Sequence, residues 1–354
     1  ANLHYLRLLG ALPAALLLMA WPAAAALEWS WQRSRSLTAA LTVLLVALVL
    51  VEGARTVRDY FVRWAGETDL YYTYQEDVWL LGQRIAGTPE GIGVVPVDPT
   101  MLPDFAEHSL QYGFPGTPIL QIQVREGEIA RWLEEQLGGA AGSRVVTPIW
   151  HEGPEVGADA QGLLAFYLGR EGALESREAL RGFDVLTYSL EQPPQFQAAG
   201  NTASLGQDFS STLTLTDVQW GAAYPNADRN DAAAAAGTPI WAILSWRLER
   251  PVSDLTATLD LVDSAGHRLA SAETPLLDDQ RRPVSQWEVG TVGRSYHLVD
   301  VPATQLPGGL RLEARAYDSA TLMPLLPQAG TPRQSAPVAS VAVTPALQAS
   351  SAVA

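Results

Sequence analysis

The sequence predicts a multidomain chain built as a transmembrane α-helical hairpin, a small α/β domain and a C-terminal antiparallel β-sandwich. Three observations carry that expectation: uncharged apolar runs gathered near the N-terminus, alternating helical and strand periodicities through the middle, and period-two alternation toward the C-terminus. At 354 residues the chain exceeds one average domain and can bury a sizeable core. Its composition, 47% hydrophobic and 17% charged with a mean hydropathy of +0.04, sits between soluble and membrane proteins.

Charge separates the two environments. Residues 1–64 hold six Arg against Glu28, Glu52 and Asp59, so this segment carries +3 and the remainder of the chain, at -15 overall, carries -18. All 23 basic side chains are Arg. An acidic body disfavours a sequence-independent grip on phosphate backbones, so nucleic acid is not an expected partner. The absence of Cys excludes disulfides, thiolate metal sites and Cys nucleophiles.

Within the membrane region, 1–64, the first span is Leu8 to Leu27, twenty uncharged residues that cover ~30 Å as a helix. Pro13 and Pro22 each remove a helix hydrogen bond, which spanning helices tolerate when neighbours repair the gap. A turn over Glu28 to Ser36 places Trp29, Trp31, Arg33 and Arg35 in the polar layer. Leu37 to Val51 is the second span, with the bilayer as partner. The competing reading is a secretory signal with a cleavage site among Ala23 to Ala26; the second apolar run and the missing initial Met favour a hairpin in a fragment. Arg counts on the two sides leave the orientation open.

The α/β domain, 65–192, follows from helical spacing of Tyr74, Val78, Leu81 and Ile85, ending near Gly87. Thr88 to Pro118 reads as loop, Ile119 to Val124 as strand, Glu126 to Leu137 as helix, Arg144 to Trp150 as strand, Ala158 to Leu168 as helix and Val185 to Leu190 as strand. Gly91-Ile92-Gly93 is too short for a dinucleotide fingerprint. His108 and His151 lack metal-ligand spacing, and Glu134 with Glu135 suits a solvated helix face.

The β-sandwich, 193–327, is read from alternation. Leu213 and Leu215 alternate with Thr; Ile240, Ala242, Leu244, Trp246 and Leu248 share one face; Leu255, Ala257, Leu259 and Leu261 share another, turned at Asp263 to Gly266 into Arg268 to Ala272. Tyr296 to Val301 and Leu310 to Tyr317 repeat the pattern. The tail, 328–354, is Ala/Pro/Ser-rich with an edge strand expected at 338–343. Asn226, Asp228, Asn230 and Asp231 form an incomplete calcium-like loop that lacks the turning Gly and terminal Glu. Trp220, Tyr224, Trp241 and Trp287 are the candidate ligand-binding residues, by stacking on sugar rings, with core packing as the alternative for each. The residues offer no metal site, and no catalytic residue stands out.

The run Leu6-Arg7-Leu8-Leu9-Gly10-Ala11-Leu12-Pro13-Ala14, the juxtamembrane Ala54-Arg55-Thr56-Val57-Arg58-Asp59-Tyr60-Phe61 and the following Asp69-Leu70-Tyr71-Tyr72 resemble the last membrane helices and adjoining soluble region of bacterial family-39-like GT-C glycosyltransferases, a group similar to protein mannosyltransferases and aminoarabinose transferases. Leu244-Ser245-Trp246, Leu261 to Gly266, Gln286 to Gly290 and Ala316-Tyr317-Asp318 resemble a β-sandwich appended to such enzymes. The resemblance implies a multi-pass enzyme of the cell membrane that moves a sugar from a polyprenyl-phosphate donor to an extracytoplasmic glycan or protein acceptor. Its catalytic acid belongs to an early loop, often near a divalent metal, and that loop is expected upstream of Ala1. This chain alone is therefore expected to be inactive, to hold no cofactor and to lie with its soluble domains outside. Membrane-anchored extracytoplasmic carbohydrate-binding and structural modules are the rival classes.

Overall fold

A computed structural model describes residues 20–59, 75–97, 110, 113–153, 155–224, 233–327 and 335–344. The chain divides into two compact units, Ala1–Tyr74 and Gln75–Ala354.

In the first unit, helix α1 runs over 20–33 and α2 over Arg35–Arg58. Ser34 alone breaks them, with an extended backbone at φ -167 and ψ 134, so the expected turn over Glu28 to Ser36 shrinks to one non-helical residue. Ser30 Oγ donates to Thr38 Oγ1 at 3.2 Å. Eight residues along a straight helix would separate these groups by ~12 Å, so the chain bends sharply at Ser34. Most of the expected first span, 8–19, lies outside the described residues. Among the described residues, α2 is the one helix long and apolar enough to cross a membrane.

Among the described residues, the second unit contains three sheets. Helix α3 (Glu76–Gly87) leads into β1 (Gly91–Pro96); β2 (Ile119–Ile122), α4 (Ile129–Leu137), β3 (Ser143–Trp150), α5 (Leu163–Glu171), β4 (Ala173–Leu180) and β5 (Phe183–Leu190) follow. They form a five-stranded sheet ordered β2-β1-β3-β5-β4, parallel across β2-β1-β3 and antiparallel beyond. Alternation sorts its faces. Val95, Val146, Phe183 and Val185 meet Val78, Leu81 and Ile85 of α3, whereas Val94, Val145, Leu186 and Tyr188 meet Ile129, Leu133 and Leu137 of α4 and the apolar residues of α5.

β1 lies within the stretch Thr88 to Pro118 that reads as loop, and it is an inner strand with neighbours on both sides. Its Gly and Pro content hides it, but Gly93 has a packing reason: an added Cβ would lie 2.6 Å from Ile85 Cδ1, so its absence lets α3 approach the sheet. β4 was also silent, because Ala173–Leu180 is rich in helix formers. It is an exposed edge strand whose charged side chains suit an edge.

The C-terminal half is β-rich, as expected. β6 (Asn201–Phe209), β7 (Leu213–Ala222), β9 (Pro239–Leu248) and β12 (Val292–Asp300) form one sheet, ordered β12-β9-β7-β6. β8 (Ala233–Ala235), β10 (Leu255–Val262), β11 (Arg268–Pro275), β13 (Gly308–Asp318), β14 (Pro324–Leu325) and β15 (Ala336–Thr344) form the other, ordered β11-β10-β13-β15-β8 with β14 on β13. Their facing side chains, including Leu215, Leu244, Trp246, Leu259, Leu261, Leu312 and Val341, make one core.

Two expectations change. The strand at 338–343 is not an edge: β15 sits between β13 and β8. The sandwich is not wholly antiparallel either, because β8 pairs with β15 in parallel.

Candidate functional site

None of the four aromatic residues expected to stack on sugars presents an open ring face. Trp241 is 3% exposed, Trp287 6% and Tyr224 7%, while Trp220 is partly buried against the sandwich core. Trp287 fills that core and donates Nε1 to the Arg282 carbonyl at 2.8 Å. Tyr224 hydrogen-bonds Glu191, and burial followed by this carboxylate pushes its phenol up to about 12. The sequence shows flat aromatic groups; it does not show that α5 covers the outer face of the sheet around Trp241. The loop with Asn226, Asp228, Asn230 and Asp231, and His108, lie outside the described residues. Among the described residues, no His, Asp and Glu cluster could hold a metal.

Trp241 lies where α5 is clamped between two sheets. A helix buried on one side only would show a polar face, but every residue of α5 except Ala165 is buried, including Arg170 and Glu171. Gly169 permits this contact, since its Cβ would lie 2.7 Å from Leu298 Cδ1 of β12. The Arg170 guanidinium stacks 5.2 Å from the Tyr167 ring and 5.1 Å from the Trp241 ring. It donates to Glu171 at 2.9 Å and to the Gln195 carbonyl at 2.9 Å, while Glu171 accepts the Gln195 N–H at 2.8 Å. One buried ion pair thus fastens α5, the 191–200 connector and the sandwich.

Beside this seam a cleft of about 700 Å³ opens between the α/β layer and the sandwich. One wall is the sheet face with Ile149, Leu174, Arg177, Leu186 and Tyr188; the second is the loop into α5, from Asp159 to Phe166; the third is Ala272 to Pro275 of β11 with Tyr296 and Leu298 of β12. The loop leaves the C-terminal end of parallel strand β3, where open α/β sheets place ligands.

Asp159 organises the second wall. Its Oδ1 and Oδ2 accept the Leu163 and Leu164 N–H groups at 2.8 and 2.9 Å, capping the orphan donors at the start of α5. Although the residue reaches the cleft, its carboxyl is enclosed, and burial pushes it up to about 6 against the pull of both amides and Arg281. Burial also raises the phenols of Tyr188 and Tyr296, the second helped by Glu126. Tyr188 donates to the Ala165 carbonyl at 3.3 Å. Three groups with shifted protonation therefore converge on one cleft.

Opposing walls are tied together. Arg294 meets Glu126 at 2.8 Å, Arg281 donates to the Gly157 carbonyl at 2.8 Å, and Gln161 donates to the Leu277 carbonyl at 3.4 Å. Near the rim, Arg177 pairs with Asp184, which also meets the half-exposed His151 at 3.3 Å. Glu273 accepts the Tyr317 hydroxyl at 2.8 Å. This arrangement positions hydrogen-bonding groups around an apolar floor; it does not align a nucleophile with a base. Asp159, Glu273 and Tyr296 come from distant segments, so no local pattern joins them. The one sequence signal was an Asp shortly ahead of an apolar helical run.

No family model and no curated protein matches the chain. Among solved structures, the C-terminal domain of wzt is 11% identical over 39% of this chain and 77% of that one, with a TM-score of 0.28. A Niemann-Pick type C2 protein from Japanese carpenter ant is 8% identical over 41% of this chain and 98% of its own, at 0.22. An adhesin from Mobiluncus mulieris is 11% identical over 36% and 56%, at 0.24. Likeness at that level assigns neither a fold family nor a function.

Proposed function

We propose that this chain is the membrane-embedded and extracytoplasmic C-terminal part of a GT-C-type glycosyltransferase, which transfers a sugar from a polyprenyl-phosphate donor to a glycan or protein acceptor. The observation that carries the membrane part is α2. It has 24 residues, none buried, and Val43, Leu44, Val46, Leu48, Val49, Leu50 and Val51 all lie exposed. A helix apolar all round is stable only when lipid or other helices cover it. Its uncharged stretch, 36–51, spans ~24 Å, and Arg35 and Arg55 can snorkel to either surface to complete the crossing.

The bend at Ser34 supports a hairpin with spans at about 8–27 and 37–51, and the family resemblance alone supports a cytoplasmic turn with the acidic second unit outside. On this reading the chemistry, and any divalent metal, belong to membrane loops that this chain does not contain, and the 75–344 unit handles or positions the acceptor. The family resemblance supports the transferase class. Burial of Tyr224, Trp241 and Trp287 and partial burial of Trp220 count against a stacking platform made of these four aromatic residues.

Alkaline carbonate extraction and turnover test the proposal together. The chain should stay in the membrane pellet at high pH, and a version lacking 20–58 should leave it. The purified 354-residue chain should release no sugar from a polyprenyl-phosphate-mannose donor. Carbonate-soluble full-length chain, or turnover by this chain alone, contradicts the proposal.

A further inference from the structure

We infer that the cleft between α5, β5 and β11 binds a neutral, hydroxyl-rich ligand, a short run of sugar rings; this rests on the extracytoplasmic placement proposed above. Its volume, about 700 Å³, lies in the range of small-molecule sites, roughly 300–1,000 Å³.

The lining selects the chemistry. Ile149, Leu174, Leu186 and Leu298 give an apolar floor on which the C–H face of a sugar ring can lie. Leu174 is already exposed there, at 53%. Around that floor stand an exposed acceptor, Glu273, and donors, Gln161 and Arg177. A hydroxyl both donates and accepts, so it can satisfy either kind of partner. An anion meets the Glu273 carboxylate and a single guanidinium that is already paired with Asp184. An acyl chain would fill the floor but strip water from these rim groups, at about 1–3 kcal/mol for each left unsatisfied.

The cleft is also pre-formed. The bonds Arg294–Glu126 and Arg281–Gly157 hold its walls together without a ligand, so little ordering cost opposes binding. Tyr296, on the third wall, is held in place from behind by Glu126, the partner of Arg294.

The test applies the full chain in lipid nanodiscs to an array of neutral mannans, glucans and galactans, with sialylated and phosphorylated glycans and dodecanoate competition alongside. Wild type should bind neutral glycans. Leu174→Arg, at an exposed strand position, and Glu273→Gln should each weaken binding about tenfold with unchanged thermal melting, the size of one lost hydrogen bond or apolar contact. Absence of neutral-glycan binding, preference for the anionic glycans, displacement by dodecanoate, or equal binding by both variants overturns the inference. Carbonate extraction reads membrane placement separately, so a failed array with a membrane-retained chain removes the cleft's ligand and leaves the anchoring intact.

Discussion

Trp241 and Trp246 lie on one strand, face opposite sides of their sheet, and are both buried. Trp246 packs edge-on to Phe209 with ring centroids 5.4 Å apart and donates Nε1 to Ser295 Oγ at 2.9 Å inside the sandwich. Trp241 packs against Phe166 and the Arg170 guanidinium at the seam. Period-two alternation makes their opposite orientation legible in the sequence, but the cover over Trp241 comes from a helix about 75 residues earlier, which alternation cannot report. Either Trp→Ala change should therefore lower unfolding stability by about 3–5 kcal/mol in denaturant titrations. A near-neutral Trp241→Ala would show that the seam is open. Ser295 Oγ also meets His297 Nε2 at 2.9 Å, and burial pushes this imidazole down to about 4. The unfolded chain then binds the extra proton, so stability is full above ~6.5, lost as pH falls toward about 4, and level below. Asp159 acts with opposite sign, favouring the fold at low pH and losing that contribution as pH rises through about 6. Comparing wild type with His297→Gln isolates the histidine: the stability difference should change by about 3 kcal/mol between pH 6.5 and 4. A pH-independent difference would contradict a neutral buried His297.

At the level of elements, what the sequence hides is central rather than peripheral. β1 carries two Gly and a Pro in six residues, a composition that signals a loop, yet it is an inner strand because Gly93 admits Ile85. Gly93→Ala should cost about 1–3 kcal/mol, and Ile85→Val, which deletes the Cδ1 atom in the way, should recover part of it in a double-mutant cycle. Additive costs would mean that helix and strand do not meet at this point. β15 was legible as a strand but not as an inner one, since its neighbours β13 and β8 come from opposite sides of a long stretch of sequence. A chain cut after residue 327 loses Val338, Val341 and Val343 from the core and exposes the ladders of two strands. It should show no cooperative melting, whereas 75–344 should melt cooperatively; calorimetry separates the two. The short apolar helices and the β9–β10 faces were readable because their periods are uninterrupted over several turns or pairs.

For the whole molecule, an apolar helix with none of its residues buried precedes an acidic unit whose two layers are locked around α5. Composition announced a division of this kind: +3 over residues 1–64 against -18 over residues 65–354 on a chain of -15. The cleft was not announced, because it is made by docking two layers whose lining residues, up to Tyr188 and from Ala272 onward, lie far apart in sequence. On the function proposed above, α2 crosses the bilayer and the second unit lies outside the cell. The chain has no Cys, so single cysteines placed at exposed Gln32 and Ser264 report with no background from the protein itself. In intact cells treated with a membrane-impermeant maleimide, Ser264→Cys should label at once and Gln32→Cys only after permeabilisation. Labelling of Gln32→Cys with protection of Ser264→Cys would reverse the topology, and labelling of both in intact cells would contradict the crossing itself.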